Sequence, residues 1–175
     1  MGLFLVELRS PAAANRRAAI EKAARSVIEG LGGRVVETAF AAELRKLYVI
    51  VDGIAPGPLG DAVRATPELE VDDLASVRLV GDAPAQGLAA PSHVVEWDLP
   101  AGLAIGDYLA RKAQKTPLYA KVPEVKFLRT YVREDMVKCV CLYDAPDDGA
   151  VRRARDAVSA PIDRLSRVTP ATGDD

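Results

Sequence analysis

Acidic, basic and phenolic side chains recur on the strands that the sequence predicts, and residues of these types can transfer protons. In chain order they are Glu7, Glu37, Lys46, Tyr48, Glu96, Arg129, Tyr131 and Lys138. Carboxylates and amines that are withdrawn from water have shifted pKa values and can act as general acids and bases. If the chain is an enzyme, all of these except Glu7 are expected to supply acid, base and oxyanion-stabilising groups. The alternative is a structural set of salt bridges, such as Glu37 with Lys138, because ion-pair networks also shift pKa values.

A second candidate site would hold a metal ion. His93, Glu96 and Asp98 could offer one nitrogen and two carboxylates to nickel or another divalent ion. The chain contains 1 histidine, which excludes any site that needs two histidines from one chain. Neighbouring residues of a strand point to opposite faces, so His93 and Glu96 are expected to point in opposite directions. The alternative is an exposed or capping histidine, with Trp97 of the same face in the core.

Two cysteines, Cys139 and Cys141, are separated by one residue. Their side chains point to the same side of a predicted strand, where they could form a soft-metal or redox pair. The alternative is a pair of small apolar side chains in the core. Two cysteines cannot complete a four-cysteine zinc site, and their spacing does not suggest the disulfide framework of a secreted protein.

A basic cluster lies near the end of the chain. Its members are Arg152, Arg153, Arg155, Arg164 and Arg167. Such a cluster could bind an anion or nucleic acid, but aspartates are interleaved with it. We therefore interpret it as a solvated, salt-bridged helix face. The sequence contains no P-loop, GxGxxG, HExxH or GxSxG motif.

The elements that must position these residues follow the order βαββαβ, and this order occurs twice. In the first half the predicted elements are 3–9, 12–29, 34–40, 44–52, 59–65 and 73–80. In the second half they are 94–99, 103–115, 126–132, 137–144, 148–158 and 162–168. The predicted domains are residues 1–80 and 92–168, with a linker over 81–91 and a loose tail over 169–175.

Each predicted hairpin has an apolar face and a mixed face. Pairing Phe40 with Arg45 places on one face the residues that a helix should cover, namely Val36, Thr38, Leu47, Val49 and Val51. The other face then carries Val35, Glu37, Ala39, Lys46, Tyr48 and Ile50. In the second half the same register places Cys139 and Cys141 under the helices. The open face there carries Phe127, Arg129, Tyr131, Lys138, Val140 and Leu142.

The two halves align without gaps across their hairpins. Lys46 coincides with Lys138, and Glu7 of the first strand coincides with Glu96. An internal duplication explains this agreement best, although any two βαββαβ units share the pattern. The predicted fold class is α+β, with two tandem ferredoxin-like units packed sheet to sheet as a pseudo-dimer, in the manner of a dimeric α/β-barrel.

Part of the second half resembles a known family. Arg129-Thr130-Tyr131 ends a strand and is followed by the run Cys141-Leu142-Tyr143-Asp144-Ala145-Pro146-Asp147, then by Val151-Arg152 and Pro161. This pattern is similar to a small bacterial domain family of unknown function whose described type is a nickel-binding protein. The resemblance covers residues 126–168. It implies a ferredoxin-like fold that pairs sheet to sheet as a dimer, with nickel as the bound ion.

Composition excludes several classes of protein. The chain has 175 residues, is 49% hydrophobic and 27% charged, and has a net charge of -2. This near-neutral balance and an aromatic content of 5% argue against a nucleic-acid partner. No apolar run reaches the roughly 18 residues of a membrane helix, and the N-terminus lacks a signal-peptide pattern. We therefore expect a bacterial, cytoplasmic protein that acts as a monomeric pseudo-dimer or as a higher homo-oligomer.

Three functions are compatible with the sequence. The first is a small protein that binds a metal ion or another small ligand, with nickel or another divalent metal named by the resemblance. The second is a cofactor-independent enzyme, such as a cyclase, isomerase or monooxygenase-like protein, with a cavity between the two sheets. This second function depends on fold analogy alone. The third is an interaction module in a larger assembly.

Overall fold

The computed structural model describes residues 2–10, 14–84 and 90–169. The elements of the first half are β1 (Leu3–Arg9), α1 (Ala14–Gly30), β2 (Arg34–Ala41), β3 (Lys46–Asp52), α2 (Pro56–Ala65) and β4 (Val71–Gly81). Those of the second half are β5 (His93–Asp98), α3 (Ile105–Lys115), β6 (Lys126–Arg133), β7 (Lys138–Asp144), α4 (Asp148–Ala157) and β8 (Arg164–Thr169), with a 3-10 helix over Thr116–Lys121. The predicted βαββαβ order of each half is confirmed.

Some sequence expectations fall on residues outside this description. They are the first residues of the helix predicted over 12–29, residues 85–89 of the predicted linker and residues 170–175 of the predicted tail. No helix in the described ranges is long and apolar enough to cross a membrane.

The described residues divide into two compact units. Unit 1 ends at Val77 and also includes Thr169, and unit 2 is Arg78–Val168. In unit 1 the antiparallel strands follow the order β4-β1-β3-β2. In unit 2 the order is β8-β5-β7-β6.

The predicted fold class, two tandem ferredoxin-like units packed sheet against sheet, is wrong. The eight strands follow one closed order, β1-β3-β2-β8-β5-β7-β6-β4, and not two separate sheets. Two separate sheets would leave the N–H and C=O groups of their edge strands unpaired, whereas in a closed order every strand has a neighbour on both sides. Strand β4 continues to Gly81, and the N–H of Asp82 donates to the Leu128 carbonyl of β6 at 3.2 Å.

The helices of each unit cover one side of its strands. In unit 1, Ile20, Ala24 and Ile28 form one face of α1 and belong to a core that also contains Val49 of β3. Their spacing of four residues places them on one stripe of a helix. In unit 2, α3 and α4 contribute to a second core, which includes Trp97, Tyr108, Cys139, Cys141, Val151 and Ala154.

The hairpins pair two residues away from the predicted register, and the predicted faces largely survive. Phe40 pairs with Leu47 where the prediction pairs it with Arg45, and Val132 pairs with Cys139. A shift of two residues returns each side chain to the same face, because side chains alternate with a period of two.

Two β-bulges change the faces that the sequence predicts. The register shifts between Val35 and Glu37 in β2, and between Phe127 and Arg129 in β6. An extra residue in one strand moves the residues before it to the other face. Val35 and Phe127, both predicted on the open face, therefore pack against the helix-covered cores.

Candidate functional site

Glu96 of β5 is the centre of a charged network in unit 2. Its carboxylate is fully buried, Lys138 Nζ lies 3.2 Å from its Oε1, and Arg164 Nε donates to its Oε2. Arg164 also donates to Asp98 Oδ2 at 3.0 Å. The strands create this grouping, because Glu96 lies opposite Arg164 on β8 and Asp98 lies opposite Lys138 on β7. The arrangement can hold a proton between a carboxylate and an amine.

A matching pair, Glu7 with Lys46, lies in unit 1. Glu7 is buried on β1, and Lys46 Nζ of β3 lies 2.8 Å from its Oε2 and 3.5 Å from Asp72 Oδ2. Arg9 Nε donates to Asp72 Oδ1 at 3.1 Å. Burial alone would raise the pKa of Asp72, but Arg9 and Lys46 lower it below its usual range. Both units therefore carry a buried glutamate with a lysine at hydrogen-bonding distance.

The other predicted acid–base residues divide between the units. Tyr48, Arg129 and Tyr131 are buried, and Glu37 is half-buried. Tyr48 lies directly opposite Glu7 in the pairing of β1 with β3, so the structure brings Tyr48 and the Glu7 pair to one face of unit 1. The acid–base roles of Glu37, Tyr48, Arg129 and Tyr131 stay predictions.

The three predicted metal ligands do not meet. His93 begins β5 and is buried on the helix-covered face, while Glu96 and Asp98 point to the opposite face. His93 Nε2 lies 3.1 Å from Asp148 Oδ1, and its Nδ1 lies 2.8 Å from Ser92 Oγ. Within the described residues, no three His, Cys, Asp or Glu side chains group closely enough to hold a metal ion.

Cys139 and Cys141 are fully buried on β7, with their Sγ atoms 3.8 Å apart. Thr130 Oγ1 donates to Cys141 Sγ at 3.2 Å, and Arg155 Nη1 donates to the same sulfur at 3.5 Å. The hydrogen bond with Cys139 and the nearby Arg155 hold the pKa of Cys141 well below its usual value. The hydrogen bond with Cys141 and burial raise the pKa of Cys139. The first of the two thiols to ionise is therefore Cys141.

Arg155 of α4 is a residue of the candidate site, although the sequence pattern favoured a solvated position for it. The interpretation of the arginine cluster as a solvated helix face is wrong for this residue, because Arg155 is only 2% exposed. Its guanidinium donates to Tyr143 Oη at 3.2 Å and to the Pro161 carbonyl. Its Nε is buried without a hydrogen-bond partner among the described residues. Arg153 of the same helix does fit the prediction, since it is exposed and donates to Glu124.

A small pocket of about 30 Å³ adjoins Arg155 in unit 2. A single water needs roughly 10–15 Å³ of such space, so the pocket has room for a group the size of a carboxylate. Its cationic lining residues are Arg111, Lys112, Lys115 and Arg155. Its aromatic lining residues are Trp97, Tyr108 and Tyr119. No carboxylate belongs to its lining among the described residues.

The ionisation of the lining residues favours an anionic ligand. Burial raises the pKa of Tyr119 to about 12 and also raises the pKa of Tyr108, so both hydroxyls stay protonated at neutral pH. Burial lowers the pKa of Lys112, whose Nζ lies 4.1 Å from the centre of the Phe127 ring. A charged Lys112 therefore gains from a negative group beside it.

One protein-family model matches part of the chain. Residues 93–168 match the family model described as the nickel responsive protein SCO4226-like family. This segment begins at His93 and ends one residue before the end of β8. Among curated proteins there is no match.

Two solved structures resemble almost the whole chain. One is a provisionally named chlorite dismutase, TA0507, with a TM-score of 0.54, 12% identity, and coverage of 98% of this chain and 96% of that one. The other is a provisionally named monooxygenase from Lactobacillus acidophilus NCFM, with a TM-score of 0.50, 10% identity, and coverage of 98% and 95%. At these identities the similarity establishes a shared fold.

Proposed function

We propose that this chain binds a small organic anion in the pocket beside Arg155. One observation carries the proposal, namely a buried guanidinium with an unpartnered Nε at a pocket lined by cations and by no described carboxylate. A buried charge is strongly destabilising unless a partner of opposite charge compensates it. Even if Cys141, 3.5 Å away, ionises to a thiolate, its one negative charge leaves the lining with a positive excess.

The lining also favours a ligand of a particular class. Planar guanidinium groups bind carboxylates through paired hydrogen bonds, and Lys112 adds a second cation. The aromatic side chains of Trp97, Tyr108 and Tyr119 offer apolar faces beside these charges. An aromatic carboxylate combines both features, with its carboxylate in the pocket and its ring at the mouth, because a pocket of about 30 Å³ does not enclose a ring.

Benzoate titration tests this proposal directly. The single tryptophan, Trp97, lines the pocket and reports binding through its fluorescence. We expect saturable quenching by benzoate and none by benzyl alcohol, which has the same ring without the charge. Equal responses to both compounds, or no response to either, would contradict the proposal.

Variants at cationic positions locate the site. Lys112→Met removes a half-buried charge from the pocket and should weaken benzoate binding about tenfold, the cost of one hydrogen bond to a charged group. Arg153→Met removes an exposed charge from α4 outside the pocket and is the matched control. If both variants bind benzoate as tightly as the unchanged protein does, benzoate does not bind in this pocket.

Metal binding is a second candidate, and the family match over residues 93–168 favours it. His93 and Asp148 supply one imidazole nitrogen and one carboxylate, donors that nickel accepts. Arg167 Nε lies 3.4 Å from Asp148 and competes for this carboxylate. The described donors thus do not complete a nickel site, and nickel bound there would be weak and exchangeable.

Calorimetric titration with nickel chloride, together with elemental analysis of the purified protein, tests this candidate. We expect weak heats that disappear in His93→Gln and in Asp148→Asn and persist in Asp156→Asn, which changes an exposed aspartate of the same helix. Heats that are equal in all four proteins would show that nickel binds elsewhere or adventitiously.

An enzymatic role remains a further proposal, supported by the buried Glu96–Lys138 and Glu7–Lys46 pairs. Both pairs lie outside the pocket beside Arg155, so this role concerns a substrate other than the anion bound there, with which a carboxylate and an amine at 3.2 Å or 2.8 Å could exchange a proton. Turnover of a substrate that is lost in Lys138→Met and kept in Lys112→Met, which changes the pocket instead, would support this role.

A further inference from the structure

We propose that Cys139 and Cys141 form a peroxide-responsive dithiol that closes to an intramolecular disulfide. The proposal depends on the geometry of the two sulfurs and does not require the anion to bind, although the oxidant would reach the sulfurs through the same pocket. Both side chains lie on the same face of β7, and their Sγ atoms are already 3.8 Å apart. Residues two apart on a strand have Cα atoms about 6.6 Å apart, within the range that a disulfide spans.

The surroundings of Cys141 identify it as the attacking thiol. Arg155 Nη1 and Thr130 Oγ1 both donate to its sulfur, at 3.5 Å and 3.2 Å, and donors of this kind stabilise a thiolate. Cys139 lies next to it as the resolving thiol. Peroxide-sensing thiols are typically accessible and poised beside a resolving cysteine, and because both thiols here are buried, an oxidant would reach them through the pocket that adjoins Arg155.

A small oxidant has a place one side chain away from the sulfurs. The pocket of about 30 Å³ is lined by Tyr108 and Arg155. Tyr108 hydrogen-bonds with Cys139, and Arg155 donates to Cys141. Hydrogen peroxide is a neutral molecule close to water in size, so it fits a space of this volume.

The reaction balances in two steps. The Cys141 thiolate attacks one peroxide oxygen, so an S–O bond forms and the O–O bond breaks, and the departing hydroxide takes a proton to become water. The Cys139 thiol then attacks the sulfenic sulfur of Cys141, the S–S bond forms, the S–O bond breaks, and the hydroxide leaves as water with the Cys139 proton. The two sulfurs together lose two electrons, and one peroxide becomes two waters.

Mass spectrometry of the whole reduced protein tests the dithiol. The chain has 2 cysteines, so every change in thiol alkylation is a change at Cys139 or Cys141. After peroxide treatment and unfolding in iodoacetamide, we expect the loss of two hydrogen atoms and no alkylation. Reduction before unfolding should restore two alkylation sites. If both thiols remain alkylatable while free cysteine in the same solution is oxidised, the proposal is overturned.

Two single variants separate the roles of the sulfurs. Cys139→Ser should stop at a sulfenic acid, which dimedone traps on Cys141. Cys141→Ser should leave Cys139 alkylatable under the same treatment. Equal oxidation of the Cys141→Ser variant and the unchanged protein, or a disulfide between two chains on a non-reducing gel, would contradict the assignment.

Discussion

Arg155 shows how a charged residue can be misjudged from its neighbours in the sequence. Arg152 and Arg153 precede it, and such a run is typical of a solvated face. The signal that it differs is its spacing, because it follows Val151 by four residues and precedes Val158 by three. Val151, Arg155 and Val158 are all buried on the inner stripe of α4. A charge on an apolar stripe is a better indication of a site than the number of charges nearby.

Substituting Glu96 tests whether its buried network is essential to the fold. Glu96→Gln should lower the free energy of unfolding by about 3 kcal/mol, because it removes the carboxylate charge of a buried ion pair with Lys138. Asp98→Asn removes a more exposed partner of Arg164 and should cost at most about 1 kcal/mol. Urea unfolding measures both values. A loss in Glu96→Gln no greater than that in Asp98→Asn would contradict the prediction.

At the scale of single elements, side-chain alternation is more predictable than register. Moving the partner of Phe40 from Arg45 to Leu47 leaves Lys46 and Tyr48 on the predicted face. The two bulges cannot be recognised in the sequence, because no glycine marks the shift after Val35 or the shift after Phe127. The acid–base residues could therefore be assigned to a face from sequence, while the residues at the bulges could not.

The start of α4 provides a prediction about an element. Asp147 is its N-cap, and its carboxylate accepts from the Ala150 N–H at 2.7 Å, whereas α2 and α3 begin without a side-chain cap. Asp147→Ala should lower the free energy of unfolding by about 1 kcal/mol in urea. Asp156→Ala is the control, because it removes an exposed negative charge near the C-terminus of the same helix, where the helix dipole disfavours it. Equal losses in the two variants would argue against a capping role.

At the scale of the whole chain, element order was predictable and strand closure was not. The βαββαβ pattern follows from local periodicity, which reports the face that each element buries. The closed strand order depends on hydrogen bonds at strand ends, such as Asp82 to Leu128, and backbone pairing leaves little trace in residue type. The burial of Arg155 could be inferred from its spacing, but its unpartnered Nε could not, because hydrogen bonding of a side chain depends on the atoms that the fold brings around it.

Ion pairs across the chain predict how stability depends on pH. The hydrogen bonds from Arg34 and Arg133 hold the pKa values of Asp52 and Asp135 below the usual 3.8. Such groups stabilise the fold above their unfolded pKa, and this contribution is lost as the pH falls through the lower folded value. The free energy of unfolding should thus decline as the pH falls below about 4.

Urea unfolding at a series of pH values measures this decline. The double variant Asp52→Asn with Asp135→Asn should flatten it, because neither side chain can then take up a proton. An unchanged slope in the double variant would assign acid sensitivity to other groups.

Proton exchange with solvent is slow at a guanidinium as deeply buried as that of Arg155. Exposed arginine N–H groups exchange quickly at neutral pH, whereas a buried one exchanges only when the surrounding structure opens. The Nε–H of Arg155 should accordingly give a persistent nuclear magnetic resonance signal at neutral pH. The chemical shift of that resonance would report whether the pocket is occupied and whether the neighbouring sulfurs are reduced or oxidised.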